Sequence, residues 1–440
     1  MTLTEAAFWF KRFSKIAIGV ALVAILGILI LWKPPEGIVV QKYITPSCAC
    51  TTKKENFLEN ELVIPSYEIV NSTVPTYEVQ TETGKLDDSL PKIVNVYEYT
   101  NLGEQVNAKE QAMILAKKMG FDQDRVKKVD GKAYEWTNTK TKRKLTVTAV
   151  DLNFTYETID KDMVVRLRKT KDLPSTDEAI TSATKALNSI GVEIGEYTVI
   201  PPTTYRINIE PDGQYTEAES LLEAELIRVD FYRQKSLITV PMNIEGAEGM
   251  VASLEKRANM GKVTSSILVN DQRVEVTEFT TLVFNDNPNK SNISVYVGVE
   301  DSSLKILKDI YQIDFKTWSI SPQSCGTYPL ISADVAEEKV KNGQGSLVFL
   351  NYDKDQVAPY APQEIKRFLI TSVSLIYYEG SNVQQYLQPV YFFSGVAELK
   401  NSDKADFHIY YPAIDYTNVT DEIEIQETPV KENGGLFPSS

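Results

Sequence analysis

Between Ile16 and Trp32 the chain reads IAIGVALVAILGILILW, an apolar run without one charged position. It is about 17 residues long, enough for one membrane-spanning helix, and Phe13 or Pro34 can extend it. A soluble helix would show a polar face, which this run lacks. Residues 33–92 carry few helix signals and are rich in Pro, Thr, Glu and Val, so they read as an extended stalk with one or two strands.

Beyond the stalk a unit recurs. Asn107 with Glu110 makes a capping-box-like start, Ala112, Leu115, Ala116 and Met119 follow at helical spacing, and Gly120 ends the helix. Tyr134-Glu135-Trp136 and LTVTAVDLNFTY then predict an antiparallel hairpin. A second start lies at Ser175 with Glu178, with an apolar stripe of Ala179, Ile180, Ala183, Leu187 and Ile190, a stop at Gly191, and strand-like YTVI, TYRINI and ELIRVDFYR. The third starts at Ile331-Ser332-Ala333-Asp334, runs to Gly343 and is followed by SLVFL, SVSLIYY, PVYFF and FHIYY. The predicted fold is α+β: an N-terminal single transmembrane helix followed by repeated modules of a helix packed on an antiparallel sheet. The expected organisation is a cytoplasmic N-terminus over 1–15, a transmembrane helix over 16–32, a stalk over 33–92, and modules over 93–170, 171–330 and 331–413. The second module includes a strand-rich extension, and 414–440 form a disordered acidic tail.

Charge gives the apolar run an orientation. Lys11, Arg12 and Lys15 precede it and Lys33 alone follows directly, which places the short N-terminus in the cytoplasm and the bulk of the chain outside the plasma membrane. A cleaved signal peptide would need a shorter core and a small-residue cleavage site, whereas Lys33-Pro34-Pro35-Glu36 follows. The net charge of −14 and the lack of a long basic run argue against a nucleic-acid partner.

Composition narrows the chemistry. His408 is the only histidine and sits in an apolar-rich strand pattern, so a His-based metal site or Cys/His nucleophile pair has little to build on. Ser182-Ala183-Thr184-Lys185 matches S-x-x-K, but the pattern recurs at Ser89–Lys92 and Ser302–Lys305, lacks a K-T-G partner and falls mid-helix. The Asn285–Asn292 loop has oxygen-bearing side chains but only Asp286 as a carboxylate, so it reads as a turn before a calcium site. The sequence calls for no cofactor. Of three cysteines, Cys48 and Cys50 stand one residue apart; one of them pairs with Cys325 or joins two chains, if the compartment is oxidising.

The segments AKEQAMILAKKMGF, YEWTNTKTKRKLTVTAVDLNFTY, ELIRVDFYR, TYPLISADVAEEKVKNGQGSLVFL and VSLIYYEGSNVQQYLQPVYFF resemble a family of uncharacterised membrane-anchored proteins from candidate-phylum bacteria. They touch most of the chain from Val94 to Pro412. The layout is also distantly similar to the YycH/YycI-type regulators of an envelope sensor kinase, with one N-terminal helix and repeated α+β extracytoplasmic domains. The resemblance implies an envelope protein that acts by contact with a protein or ligand, and no family functional residue maps onto a position here.

The expectation is therefore a non-enzymatic extracytoplasmic protein, held to the membrane by one helix, that binds an envelope protein. Tyr377, Tyr378, Tyr391 and Tyr410 of the C-terminal strands are the candidate contact surface, against a reading in which they are sheet packing. The alternatives are an envelope glycan- or peptide-processing enzyme using paired carboxylates, and a structural spacer.

Overall fold

The computed structural model describes residues 46–418, except 49, 51–57, 59–60, 72–73, 81–90, 101–105, 130, 256–260, 270–271, 352–356, 358–359, 361, 382–383 and 402. The apolar run Ile16–Trp32 and residues 419–440 of the expected tail lie outside the described residues. Among the described residues no helix is long and apolar enough to cross a membrane. Residues Ser266–Val274 belong to a separate unit. The larger unit is Lys42–Ser265 with Glu275–Ser440, and the buried hydrophobic clusters lie within it.

In chain order the elements are β1 (Thr76–Val79), β2 (Ile93–Glu98), α1 (Ala108–Lys118), β3 (Lys127–Val129), β4 (Ala133–Asn138), β5 (Arg143–Thr148), β6 (Phe154–Thr158), α2 (Lys161–Arg168) and α3 (Thr176–Ile190). Then come β7 (Thr203–Ile209), β8 (Tyr215–Glu217), β9 (Leu226–Phe231), β10 (Arg233–Pro241), α4 (Ala247–Glu255), β11 (Gly261–Val269), β12 (Gln272–Phe284), β13 (Ile293–Val297) and β14 (Ile310–Phe315). The last are β15 (Gly326–Pro329), α5 (Ala333–Lys341), β16 (Ser346–Asn351), β17 (Ile365–Tyr378), β18 (Tyr386–Leu399) and β19 (Lys404–Pro412). The class is mixed α+β, mostly sheet, with five helices among the described residues.

Nine strands form one antiparallel sheet in the order β3-β4-β5-β6-β14-β13-β9-β7-β8. On one face α1 and α3 bury Ala108, Ala112 and Ala116 beside Ala179, Ala183 and Ala186, small side chains that let helices and strands approach closely. On the other face Val164 of α2 packs with Ile207, Leu226 and Tyr311. α3 starts as its sequence specifies: the Ser175 side chain accepts from the Glu178 amide, the Glu178 carboxylate accepts from the Ser175 amide, and Gly191 ends the helix at φ 87°.

The second sheet runs β10-β12-β17-β18-β19-β16, with β1 on β17, β11 on β12, and β2 bridging β18 and β15. It is mainly antiparallel, with parallel pairings of β1 and β12 to β17. The 14-residue strands β17 and β18 form its spine.

The expected modules do not each own a sheet. β6 pairs with β14, so β3–β6 of 93–170 and β7–β9, β13 and β14 of 171–330 form one continuous surface, while β2 joins the second sheet. An open β6 edge would leave ladder donors and acceptors unpaired, and β14 removes that edge. The chain leaves the first sheet at Phe231 and enters the second at Arg233, with Tyr232 alone between them. Strands β10, β12 and β15 thus belong with the elements after Ile331.

The expected stalk also needs correction over its described residues, which form a strap on the second sheet. Cys50, Leu58 and Ile64 are buried. The Ser47 and Cys48 amides donate to Thr327 O at 2.9 and 3.1 Å, the Tyr67 amide donates to Leu347 O at 2.7 Å, and β1 continues along β17. Apolar side chains at alternate positions and edges lacking a partner explain why this segment packs. Of the expected tail, Ile414 is buried and Tyr416 donates its hydroxyl to Gln388 at 2.8 Å, so the fold continues to Asn418.

Candidate functional site: a buried polar seam between the sheets

The crossing at Tyr232 places charged side chains where both sheets cover them. β10 reads RQKSLITVP, and eight of its nine residues are buried, so its Arg233 and Lys235 need internal partners. Arg233 donates from Nη1 to Glu379 Oε1 at 2.7 Å and to Trp318 O at 2.8 Å. The second Glu379 oxygen accepts from Asn292 Nδ2 at 2.7 Å, and the Trp318 amide donates to Oε1 at 3.2 Å. Asn292 Oδ1 in turn accepts from the Arg233 amide at 3.0 Å, closing the network.

Around this pair the seam grades toward solvent. Lys235 Nζ meets Glu196 Oε1 at 2.7 Å, and Arg233 Nε comes within 3.4 Å of the other Glu196 oxygen. That second approach is close without hydrogen-bond alignment, since Nε has no hydrogen-bond partner. The Glu196 side chain is 48% exposed, so its contribution is screened. Tyr197, whose ring Arg233 overlies, has its hydroxyl pushed up to about 12, chiefly by burial.

Inward, the seam becomes neutral. A β-bulge between Ser236 and Ile238 breaks the β10–β12 register. The Ser236 carbonyl accepts from Tyr97 Oη at 2.7 Å, Tyr377 Oη at 3.0 Å and Asn95 Nδ2 at 3.2 Å. Tyr99, one residue past β2, is buried with a hydroxyl that has no partner among the described residues. Its pKa is raised well above the usual range by burial first and by Glu379 second.

Burial raises the Glu379 pKa, and Arg233, the Trp318 amide and Asn292 oppose that shift. Both of its oxygens are engaged by these donors. The arrangement therefore braces the two sheets. Two further buried pairs act within the first sheet, Arg143–Asp301 at 3.3 Å and Arg228–Asp230 at 2.9 Å. Among the described residues no group of three or more His, Cys, Asp or Glu is arranged to hold a metal.

The four expected contact tyrosines are not on the surface. Tyr377, Tyr378, Tyr391 and Tyr410 are each no more than 1% exposed. Their hydroxyls donate inward: Tyr377 to Asn95 O at 2.7 Å, Tyr378 to Asp286, Tyr391 to Ile331 O at 2.6 Å, and Tyr410 to Asn285 O at 3.2 Å. This corrects the contact-surface expectation. The rings fill the space against β2, the strap and the Asn285 loop, and burial there favours aromatic side chains.

Of the remaining sequence candidates, Cys50 is bonded to Cys325, with a Cα–Cα separation of 4.4 Å, and Cys48 is a half-buried free thiol. His408 lies between Phe349 and Phe392, with ring centroids 5.0 and 4.7 Å away, and burial pushes its pKa down to about 4. The Asn285–Asn292 loop uses its oxygens internally: Asn285 Oδ1 caps the Asn287 amide and Asn287 Oδ1 caps the Asn289 amide. Ser182 and Lys185 line a shallow groove of about 660 Å³ with Lys171, Asp177, Glu300 and Asp309. Ser182 stands mid-way along α3, away from the helix start that an S-x-x-K nucleophile uses.

No family model matches the sequence, and no curated protein matches it. Among solved structures, the chain is similar to an uncharacterised protein from Eubacterium rectale ATCC 33656, known from a crystal structure. The identity is 13%, the match covers 79% of this chain and 90% of that one, and the TM-score is 0.37.

Proposed function

We propose that this chain is a non-enzymatic, single-pass protein of the plasma membrane whose body lies outside the cytoplasm and binds an envelope protein, regulating a membrane sensor. The observation that carries the reading is the Cys50–Cys325 bridge, because such bonds persist in oxidising compartments. It closes on a segment 18 residues beyond the apolar run, whose flanking charges favour the same orientation. The resemblance to membrane-anchored proteins points the same way.

The paired-carboxylate alternative needs acids of raised pKa converging on a cleft. The carboxyls that burial raises, Glu225, Asp230, Asp314 and Glu379, each accept a hydrogen bond from the protein, and Glu178, which lines the groove beside Ser182, is lowered by its capping bonds to Ser175. These facts favour binding over hydrolysis.

Proximity crosslinking in the native membrane, from a photoreactive residue at the 85% exposed Leu222, tests the binding role. One membrane or envelope protein should be captured reproducibly. A chain that captures none, while the purified protein cleaves wall fragments, would overturn the proposal. A labelled cysteine near Ser440 should react from outside intact cells; protection there would reverse the orientation.

A further inference from the structure

We propose that Cys48 exchanges with the Cys50–Cys325 bridge, so that Cys325 has two alternative partners on the strap. The geometry supports it from three sides. Ser47 and Cys48 both donate their amides to Thr327 O, and Ser47 Oγ accepts from the Thr327 amide at 2.9 Å, so the strap lies directly along β15. Cys325 is two residues from Thr327, and Cys50 reaches it at 4.4 Å between Cα atoms. Cys48 packs against the same apolar cluster as Cys325 and Cys50. It also holds a φ of 44°, a conformation that a non-glycine residue rarely keeps.

The step needs no outside oxidant or reductant. Cys48 gives its thiol proton to water, and the thiolate attacks Cys325 Sγ. The Cys48–Cys325 bond forms as the Cys50–Cys325 bond breaks, and the electron pair leaves on Cys50 Sγ, which takes up a proton. Burial raises the Cys48 pKa, so the exchange is slow at neutral pH and accelerates as the thiolate fraction grows. Re-pairing moves the strap by two residues, about 7 Å of extended chain, relative to β15. The device sets which strap residue is tethered beside β15. It is a property of the folded chain and does not depend on the identity of a partner.

The test is residue-resolved alkylation of the full-length protein with mass-spectrometric mapping. In the wild type, the rate at which Cys50 becomes labelled with N-ethylmaleimide should rise about tenfold per pH unit, hence about 30-fold from pH 7.0 to 8.5. Cys325 should stay protected throughout. In a Cys50→Ser variant equilibrated with a glutathione redox buffer, Cys48 and Cys325 should be found bonded within one chain. Labelling confined to Cys48 in the wild type overturns the proposal, as does a Cys48–Cys50 bond that frees Cys325. If Cys50→Ser does not fold, the wild-type labelling series decides alone.

Discussion

Removing the Glu379 carboxylate should cost far more than removing Glu196, although both face the same arginine. Glu379 is 3% exposed and accepts from Arg233 at 2.7 Å, Asn292 at 2.7 Å and the Trp318 amide at 3.2 Å. In Glu379→Ala the Arg233 guanidinium stays buried with Trp318 O and the poorly aligned, half-exposed Glu196 carboxylate as its remaining partners. Breaking a buried pair in this way typically costs about 3–5 kcal/mol, because one charge is left uncompensated. Glu196 is 48% exposed, so solvent screens its pairs with Arg233 and Lys235 and can reach the Lys235 ammonium that Glu196→Ala leaves behind; the expected loss is about 1 kcal/mol. Replacing both seam partners, Arg233→Met with Glu379→Leu, should recover most of the Glu379→Ala loss, since the double variant leaves no unpaired charge. Urea unfolding of the purified chain measures all three, and adding Arg233→Met and Glu379→Leu as single variants completes the double-mutant cycle that isolates the pair. Losses below about 1 kcal/mol for both single carboxylate variants would refute the seam as a brace.

Three further outcomes rest on the same structure. Burial lowers the His408 pKa from 6.5 to about 4, so the unfolded chain binds more protons between those values. This contribution is full above pH 6.5 and declines as pH falls through the window, by up to about 3 kcal/mol, and His408→Phe should remove it; an unchanged stability slope between pH 6.5 and 4.5 would count against the buried neutral imidazole. Tyr377→Phe should destabilise by about 1–3 kcal/mol, because Asn95 O and Ser236 O lose a buried donor; wild-type thermal stability with weakened partner capture would instead restore the contact role. Reducing Cys50–Cys325, which closes a separation of 275 residues, should cost about 2–5 kcal/mol in urea unfolding with and without dithiothreitol, and no difference would show that the strap holds without it.

Local elements were legible where the signal was local. Ser175, Glu178 and Gly191 announce both ends of α3, and Ser332 caps α5 by accepting from the Val335 amide. Asn107 precedes α1 as expected but makes no side-chain cap bond, and α2 was missed although Asp160 caps the Met163 amide. YTVI, read as a strand, instead ends a 3₁₀ turn over Gly195–Tyr197 and runs toward the Pro201-Pro202 pair, which cannot extend a ladder. The seam was not legible. Arg233 and Glu379 are 146 residues apart, and Arg143 and Asp301 are 158 apart, so no spacing rule joins them. One cue existed: a strand covered on both faces loses the alternation of buried and exposed positions, and charged residues in such a run must be paired inside.

The strap has a consequence for the order in which the molecule assembles. Its residues, among the first of the body to be synthesised, pair with β15, β16 and β17, which emerge some 270 residues or more later. Contacts of such separation are slow to close, because chain entropy is lost before any pairing rewards it. Until β19 is made, β16 and β18 lack a shared neighbour and expose pairing edges to other chains. Shortening the C-terminus by one strand should therefore yield a kinetically trapped, aggregation-prone chain, and export of the whole body before folding would be the safer route.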